Sequence, residues 1–185
     1  IEITHDYIGM DYYQTAVHWY ATRPQVYGDA QQLPFSDDSM DTVLLLDVLE
    51  HLPNPEACLQ EIVRILKPTG KLVLKVPFLY PLHDVPLDFQ RWTQFGLRQF
   101  TQRYGLTIHQ ETATGQPIET AALLANIALT KTVLNWIRHK HPALILAVLL
   151  PFTILFINLL SWLINRFSPA EEMMPYSYCL VLTKN

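Results

Sequence analysis

The sequence is poor in cysteine, and this excludes two kinds of small protein. Cys58 and Cys179 lie far apart in the 185 residues, and they do not have the spacing of metal-ligating pairs. The sequence therefore indicates neither a disulfide framework nor a cysteine-type zinc site, and we expect no metal site. The low cysteine content suits a reducing compartment. No secretory signal pattern is visible either, and we expect a cytoplasmic protein.

The sequence also lacks an excess of basic residues. It has 13 lysines and arginines against 17 acidic residues, which gives a formal net charge of −4. Nucleic-acid binding usually needs a basic surface, so we expect no nucleic-acid partner. Because half of the residues are hydrophobic and only 16% are charged, the chain can bury a core and is not of the disordered type.

Short apolar stretches alternate with amphipathic ones along most of the chain. This alternation predicts an α/β fold with a Rossmann-like, doubly wound and mostly parallel sheet. The continuous apolar run 43–46 indicates a strand buried on both faces. Predicted strands lie at 8–10, 26–28, 43–46, 71–77, 106–114 and 176–184, and predicted helices at 54–70, where Pro68 and Gly70 end the helix, and 93–105, where Thr93 is the cap.

Three of the predicted strands end at an aspartate: Asp11, Asp29 and Asp47. In doubly wound sheets, ligands bind at the carboxyl ends of the strands. An acid after the second strand commonly accepts hydrogen bonds from ribose hydroxyls, and an acid at the next strand end can accept one from an adenine amino group. Aspartate also caps turns and helices, but the three acids in this order favour a nucleotide-type cofactor.

Three blocks of sequence resemble one family in their order and spacing: "GDAQQLPF", "DTVLLLDVLEHL" and "EIVRILKPTGKLVLKVP". They are similar to the class I S-adenosylmethionine-dependent methyltransferases, in the type 11 branch, over roughly residues 7–114. The resemblance implies S-adenosyl-L-methionine as the cofactor. It assigns Asp11 to the ribose, Asp29 and Ala30 to the adenine, with Gln31 and Leu33 on the same wall, and Leu46 and Asp47 to the methionine part, with Val48 beside them.

The glycine-rich first motif of that family, D-x-G-x-G, is absent from the sequence before Asp11. In the family this loop lets the cofactor approach the backbone closely, and its strand is central in the sheet. We therefore expect an N-terminally truncated piece of a longer enzyme that binds the cofactor poorly by itself. We also expect the strands that end at Asp11 and Asp47 to lack a shared neighbour.

The stretch "PFLYPLHDVPLDFQRWT" (77–93) follows a predicted strand and should lie on the cofactor side of the sheet. His83 is suited to remove a proton from the group that is methylated, with the adjacent Asp84 orienting its ring. Tyr80 and Arg91 are candidate substrate-binding residues, and Arg91 could bind an anionic group.

Each of these polar residues also has a structural interpretation. The polar side chains can fix the turns of a proline-rich loop, and Arg91 can pair with Asp84 or Asp88. His51 is a rival base, although a residue at the start of a helix near the cofactor pocket is the interpretation that we favour for it.

Residues 117–174 separate the two parts of the predicted core, 1–116 and 175–185. Two long apolar segments lie in this insert, at 119–140 and 142–164, and the second is long enough to span a bilayer. One crossing would separate strands that should pair, and two crossings would place Lys131 in hydrocarbon.

We therefore favour a helical hairpin that lies in the plane of a membrane or re-enters it, on the cytoplasmic side. In this arrangement Trp136 and Trp162 lie at the interface and Pro151 bends the second helix. A cap over the substrate pocket and a homodimer interface are the alternatives.

Together these features predict methyl transfer to a small or lipid-linked acceptor, at oxygen, nitrogen or carbon. The alternative is a non-catalytic methyltransferase-like scaffold that docks to a partner or a membrane through the insert. A nicotinamide-dependent oxidoreductase is disfavoured because "VLEHL" and "LKPTGKLVL" resemble methyltransferase blocks.

Overall fold

The computed structural model describes residues 6–185 and confirms the α/β class. The strands are β1 (Met10–Asp11), β2 (Val26–Tyr27), β3 (Met40–Leu46), β4 (Leu66–Pro77), β5 (Leu106–Thr114) and β6 (Ser177–Lys184). The α-helices are α1 (Pro55–Ile65), α2 (Gln94–Gln102), α3 (Pro117–Arg138) and α4 (Leu150–Phe167). A short π-helix occupies Thr15–Trp19, and 3₁₀-helices occupy Leu49–His51 and Pro142–Leu149.

The strands of the described residues form two sheets. β1 and β2 make a parallel pair in which Asp11 lies opposite Tyr27. The other sheet has the order β3-β4-β6-β5, and β3 runs parallel to β4 with Leu44 opposite Val73. The prediction that the strands ending at Asp11 and Asp47 share no neighbour is therefore confirmed for residues 6–185.

The expectation that β3 is buried on both faces is wrong. The side chain of Leu45 is 7% exposed, whereas those of Leu44 and Leu46 are 38% and 46% exposed. Successive side chains of a strand point to opposite faces, so only the face that carries Leu45 is covered within the described chain. β3 is also the outer strand of its sheet.

Helix α1 begins as its sequence predicts but ends early. The Asn54 side chain accepts a hydrogen bond from the backbone N–H of Ala57 at 3.2 Å, and Pro55 occupies the first turn. The prediction that Pro68 and Gly70 end this helix is wrong, because Leu66 already pairs with Met40 in the ladder between β3 and β4. The strand ladder supplies the partners that a longer helix would have given these backbone groups.

Helix α2 begins and ends where its capping residues predict. The Thr93 hydroxyl accepts a hydrogen bond from the N–H of Gly96 at 3.1 Å, as an N-cap does. The chain leaves the helix before Gly105, whose φ of +71° is in the left-handed region that favours glycine. This places β5 at the bounds that the sequence predicts.

The chain divides into two compact units, whose described residues are 6–76, 83–111 and 179–185 in the first and 77–82 and 112–178 in the second. The core and insert boundaries proposed above stay a prediction. In the second unit α3 and α4 contact each other as an antiparallel hairpin, because Asn126 bonds to Asn158 at 2.7 Å and Asn165 bonds to Glu119 at 2.8 Å. Pro151 lies in the first turn of α4, directly after the 3₁₀-helix Pro142–Leu149, and the bend that we predicted there stays a prediction.

The hairpin presents an unusually apolar surface. Within the described residues, two helical stretches, Pro117–Arg138 and Pro142–Phe167, have the length and composition to cross a membrane. Phe152, Phe156 and Trp162 on α4 are each at least 65% exposed. Apolar patches of this kind usually mark a surface that another molecule covers.

Candidate functional site

Asp11 ends β1 at the predicted position and lies beside the turn that follows β2. The N–H of Gly28 donates to the carbonyl oxygen of Asp11 at 3.1 Å. The Asp11 carboxylate accepts hydrogen bonds from the N–H of Tyr12 at 2.7 Å and the hydroxyl of Thr15 at 3.1 Å, both at Oδ1. Within residues 6–185 its Oδ2 can therefore accept a hydrogen bond from a ligand.

The loop that contains Asp29 and Ala30 is held against α1. The Asp29 carboxylate accepts a hydrogen bond from the N–H of Gln31 at 2.8 Å, and the N–H of Leu33 donates to Glu61 at 2.8 Å. Gly28 enters this loop at a close approach, since a Cβ there would lie 2.9 Å from the sulfur of Met10. The predicted adenine wall is therefore a fixed surface.

Arg64 of α1 holds this loop against the helix, and the sequence did not predict this role for it. Its guanidinium donates to the carbonyl oxygens of Leu33 at 3.0 Å and Phe35 at 2.8 Å, and to Asp37 at 2.7 Å. It also bonds twice to Glu61, at 2.7 and 2.8 Å, and this holds the pKa of the Glu61 carboxyl below its usual value. From the sequence, "EIVRIL" was interpreted only as part of an amphipathic helix.

Asp47 directly follows β3, with a φ of +53°. Its carboxylate bonds to the ammonium group of Lys75 at 2.7 Å, and both side chains are partly exposed. Each of the three predicted acids thus lies at a strand end and also serves its own turn or an ion pair. An exposed Leu46 side chain next to Asp47 offers apolar surface, so the residues present suit a nucleotide cofactor with an aliphatic tail.

A second group of residues surrounds the fully buried side chain of Glu50. The Nε2 atoms of His51 and His83 lie 3.7 and 3.8 Å from its Oε1, and the two imidazole rings meet edge to face, 4.7 Å apart. Neither carboxylate oxygen of Glu50 has a hydrogen-bond partner within the described residues. Burial raises the pKa of the Glu50 carboxyl.

Both imidazole rings of this Glu50–His51–His83 cluster are held by their other nitrogen. The Nδ1 of His51 lies 2.7 Å from the carbonyl oxygen of Leu87, and that of His83 lies 3.2 Å from Oδ2 of Asp88. Asp88 is buried and pairs with both terminal nitrogens of Arg91, at 2.5 and 2.7 Å. The Arg91 guanidinium lowers the pKa of Asp88 to about 2, so this carboxylate is ionised at neutral pH.

The loop that carries His83 is fastened to the turn that carries Glu50. The N–H of Phe89 donates to the Glu50 carbonyl oxygen at 2.9 Å, and the Gln90 side chain donates to the carbonyl oxygen of Leu52 at 3.2 Å. The structure thus brings together His83 and His51, which sequence analysis named as rivals. Glu50 was missed, although a Glu-His pair directly after an apolar strand was a usable signal.

The structure gives the remaining predicted residues other contacts. Asp84 accepts a hydrogen bond from the hydroxyl of Tyr20, which raises the pKa of that tyrosine to about 12, so the carboxylate that faces the His83 ring is Asp88. Arg91 forms an ion pair with Asp88, which is the structural interpretation that we gave as an alternative to substrate binding. Tyr80 is 40% exposed and belongs to the second unit, and its substrate-binding role stays a prediction.

Comparison with known proteins agrees with the resemblance seen in the sequence. Residues 2–74 match the family model Methyltransf_11, described as a methyltransferase domain. A solved S-adenosylmethionine-dependent methyltransferase from Archaeoglobus fulgidus superposes over 96% of this chain and 75% of its own, with 16% identity and a TM-score of 0.54. Residues 2–74 are therefore similar to a methyltransferase domain, and the superposition shows that the chain has the Rossmann-like fold of such enzymes.

Two curated relatives are demethylmenaquinone methyltransferases. The protein from Mycobacterium tuberculosis is 41% identical over 51 residues, which are 28% of this chain and 22% of that enzyme. The protein from Paenarthrobacter aurescens is 37% identical over 71 residues, which are 38% of this chain and 27% of the relative. The matches thus span about a quarter of the length of these relatives.

Proposed function

We propose that this protein transfers a methyl group from S-adenosyl-L-methionine to a small or lipid-linked acceptor. The observation that carries the proposal is the Glu50–His51–His83 cluster, which begins three residues after Asp47 at the end of β3. It places proton-accepting groups next to the strand end where the methionine part of the cofactor is expected. The names of the curated relatives support methyl transfer.

The cofactor, when bound, supplies a reactive methyl group on a positively charged sulfur. In this proposal Oδ2 of Asp11 accepts hydrogen bonds from the ribose, and Asp29 and Ala30 contact the adenine. Leu46 and Asp47 lie beside the methionine part. These residues fix the donor, so that most of the rate enhancement comes from positioning.

The chain's own contribution to the chemistry is removal of a proton from the acceptor. Asp88 faces Nδ1 of His83 at 3.2 Å, which fixes the ring so that Nε2 is the atom that meets the acceptor's proton. The orienting role that we predicted for Asp84 passes to Asp88 in this proposal. An oxygen or nitrogen acceptor that must lose a proton suits the cluster best.

Replacing His83 with asparagine is expected to lower the methyl-transfer rate about 100-fold or more, the usual contribution of a positioned base. The assay incubates the full-length gene product and tritiated methyl donor with a lipid extract and with a small-molecule extract of the source cells. His109→Asn is the matched control, because His109 is exposed on β5. Equal rates for both variants would contradict the role of His83, and no transfer by a folded wild-type protein would favour the scaffold alternative.

We also propose that the α3–α4 hairpin attaches the protein to the cytoplasmic side of a membrane. The exposed aromatic side chains of α4 and the low burial of the Pro142–Phe167 stretch, in which Ser161 is buried, support this. A second copy of the chain could cover the same surface instead, which makes a homodimer the competing arrangement.

Vesicle flotation tests the attachment. We expect the wild-type protein to float with phosphatidylcholine vesicles and the double variant Phe152→Glu, Phe156→Glu to bind at least tenfold less, because each buried phenylalanine contributes about 2 kcal/mol. Phe95→Glu is the control, since Phe95 is 72% exposed on α2 of the first unit. A wild-type protein that stays in the soluble fraction as a dimer would contradict membrane attachment.

A further inference from the structure

We infer that Glu50, His51 and His83 form a binding site for one divalent transition-metal ion. The first reason is the environment of Glu50. Its side chain is fully buried, and neither carboxylate oxygen has a hydrogen-bond partner within residues 6–185. A buried carboxylate that lacks hydrogen bonds is costly, and the imidazole nitrogens of His51 and His83, at 3.7 and 3.8 Å from Oε1, are beyond hydrogen-bond distance.

The second reason is the direction in which each imidazole presents its lone pair. The Nδ1 of His51 lies 2.7 Å from the carbonyl oxygen of Leu87, which only accepts hydrogen bonds. In a neutral ring Nδ1 therefore carries the proton, and Nε2 presents a lone pair to Glu50.

The same reasoning applies to His83. Its Nδ1 lies 3.2 Å from the Asp88 carboxylate, which also only accepts, while the Arg91 guanidinium is farther from that nitrogen, at 3.5 Å. Nε2 of the neutral ring then presents a lone pair to Glu50 as well. The Glu50 carboxylate and the two imidazole nitrogens thus lie within 4.8 Å of one another, and a single cation between them can be bound by all three.

The spacing of these atoms is close to that of a metal site. The ligand atoms of the three residues all lie within 4.8 Å of one another. An ion about 2.1 Å from each ligand sets the ligand atoms about 3.0 to 3.4 Å apart, so the side chains need to approach by a few tenths of an ångström up to about 1.8 Å. Such a shift is within the reach of the two partly exposed histidines.

The surroundings have the form of an outer coordination shell. Metal-ligating histidines usually donate their second N–H to a backbone carbonyl or a carboxylate. Leu87 and Asp88 occupy these two positions, and Arg91 holds Asp88 in turn. Two histidines and one carboxylate are the ligands of catalytic zinc sites and of non-haem iron(II) sites, both of which keep an open position for water or substrate.

Binding of the ion does not depend on the reaction. In methyl transfer, the bound ion would promote loss of a proton from an acceptor hydroxyl at its open position. This role of the ion rests on the proposed function. With the ion bound, His83 acts through the ion and not as the direct base, and the His83→Asn variant is still expected to lose activity.

Calorimetric titration with zinc chloride tests the site, using full-length protein that has been stripped with a chelator. We expect one equivalent to bind with micromolar or tighter affinity, and cobalt(II) to give a visible absorption spectrum that zinc abolishes. His51→Asn, His83→Asn and Glu50→Gln should each weaken binding at least tenfold, and Asp88→Asn should weaken it 10- to 100-fold through the outer shell.

The controls are His109→Asn and Glu56→Gln, since both residues are exposed, and neither should change the affinity. If Glu50→Gln does not fold, His83→Asn decides, because His83 is partly exposed. Absence of binding by a folded protein, or equal binding by site and control variants, would overturn the inference. S-adenosylhomocysteine binding, measured on the same sample, separates failure of the metal site from failure of the proposed function.

Discussion

Replacing Asp11 with alanine is expected to weaken the binding of S-adenosylhomocysteine at least tenfold and up to about 150-fold. A hydrogen bond to a charged acceptor contributes about 1.5 to 3 kcal/mol, and the proposed ribose contact is of this kind. The strand end at Asp11 is fixed by β2 through the bond from Gly28, so the position of this carboxylate is set by the fold. Calorimetric titration of the full-length gene product measures the change.

Two further variants make this result interpretable. Asp11→Asn keeps an oxygen that can accept the bonds from Tyr12 and Thr15, so it should lose less affinity than the alanine variant. Asp41→Ala is the control, because Asp41 is 83% exposed and pairs with Lys67 on the surface. If Asp11→Ala binds as the wild type does, the ribose lies elsewhere and the assignment fails.

Replacing Arg64 with alanine is expected to lower the free energy of unfolding at pH 7, because it removes several charge-assisted hydrogen bonds together. It also frees the loop from Leu33 to Asp37 from α1. Since this loop continues the predicted adenine wall, affinity for S-adenosylhomocysteine should fall as well. Arg103→Ala, which changes an exposed arginine, should alter neither quantity.

The pH dependence of this effect has a defined sign. Arg64 lowers the pKa of Glu61 in the folded protein relative to its ordinary value of 4.5. The stabilisation is therefore present above pH 4.5 and is lost as the pH falls through the lower folded pKa. Urea unfolding at a series of pH values should show the wild-type and Arg64→Ala curves converging in acid, and a constant difference would contradict the role of the Glu61 pair.

The sequence predicted those parts of the fold that depend on local signals. β5 has the predicted bounds because its turn residue Gly105 and its apolar period are both local. α1 begins at Pro55 because Asn54 and Pro55 are strong start signals. The predicted end of α1 was wrong because it depends on the pairing of Leu66 with Met40, which are far apart in the chain. A local sequence pattern does not show whether such residues continue a helix or pair in a sheet.

The candidate site divides in the same way. The strand-end acids were predicted from their position after apolar runs. Asp88 and not Asp84 faces His83, because the course of the loop turns Asp84 towards Tyr20. The exposure of Leu44 could not be predicted either, since an apolar run shows that a residue can be buried but not what covers it.

A crystal structure of the full-length gene product with S-adenosylhomocysteine would show whether the cofactor binds at the strand ends that carry Asp11, Asp29 and Asp47. We expect the ribose hydroxyls to lie within hydrogen-bond distance of Asp11 and the adenine to lie beside Asp29 and Ala30. We also expect the sulfur to face the Glu50–His51–His83 cluster. A ligand bound away from these strand ends, or a folded protein that crystallises without ligand at saturating concentration, would contradict these expectations.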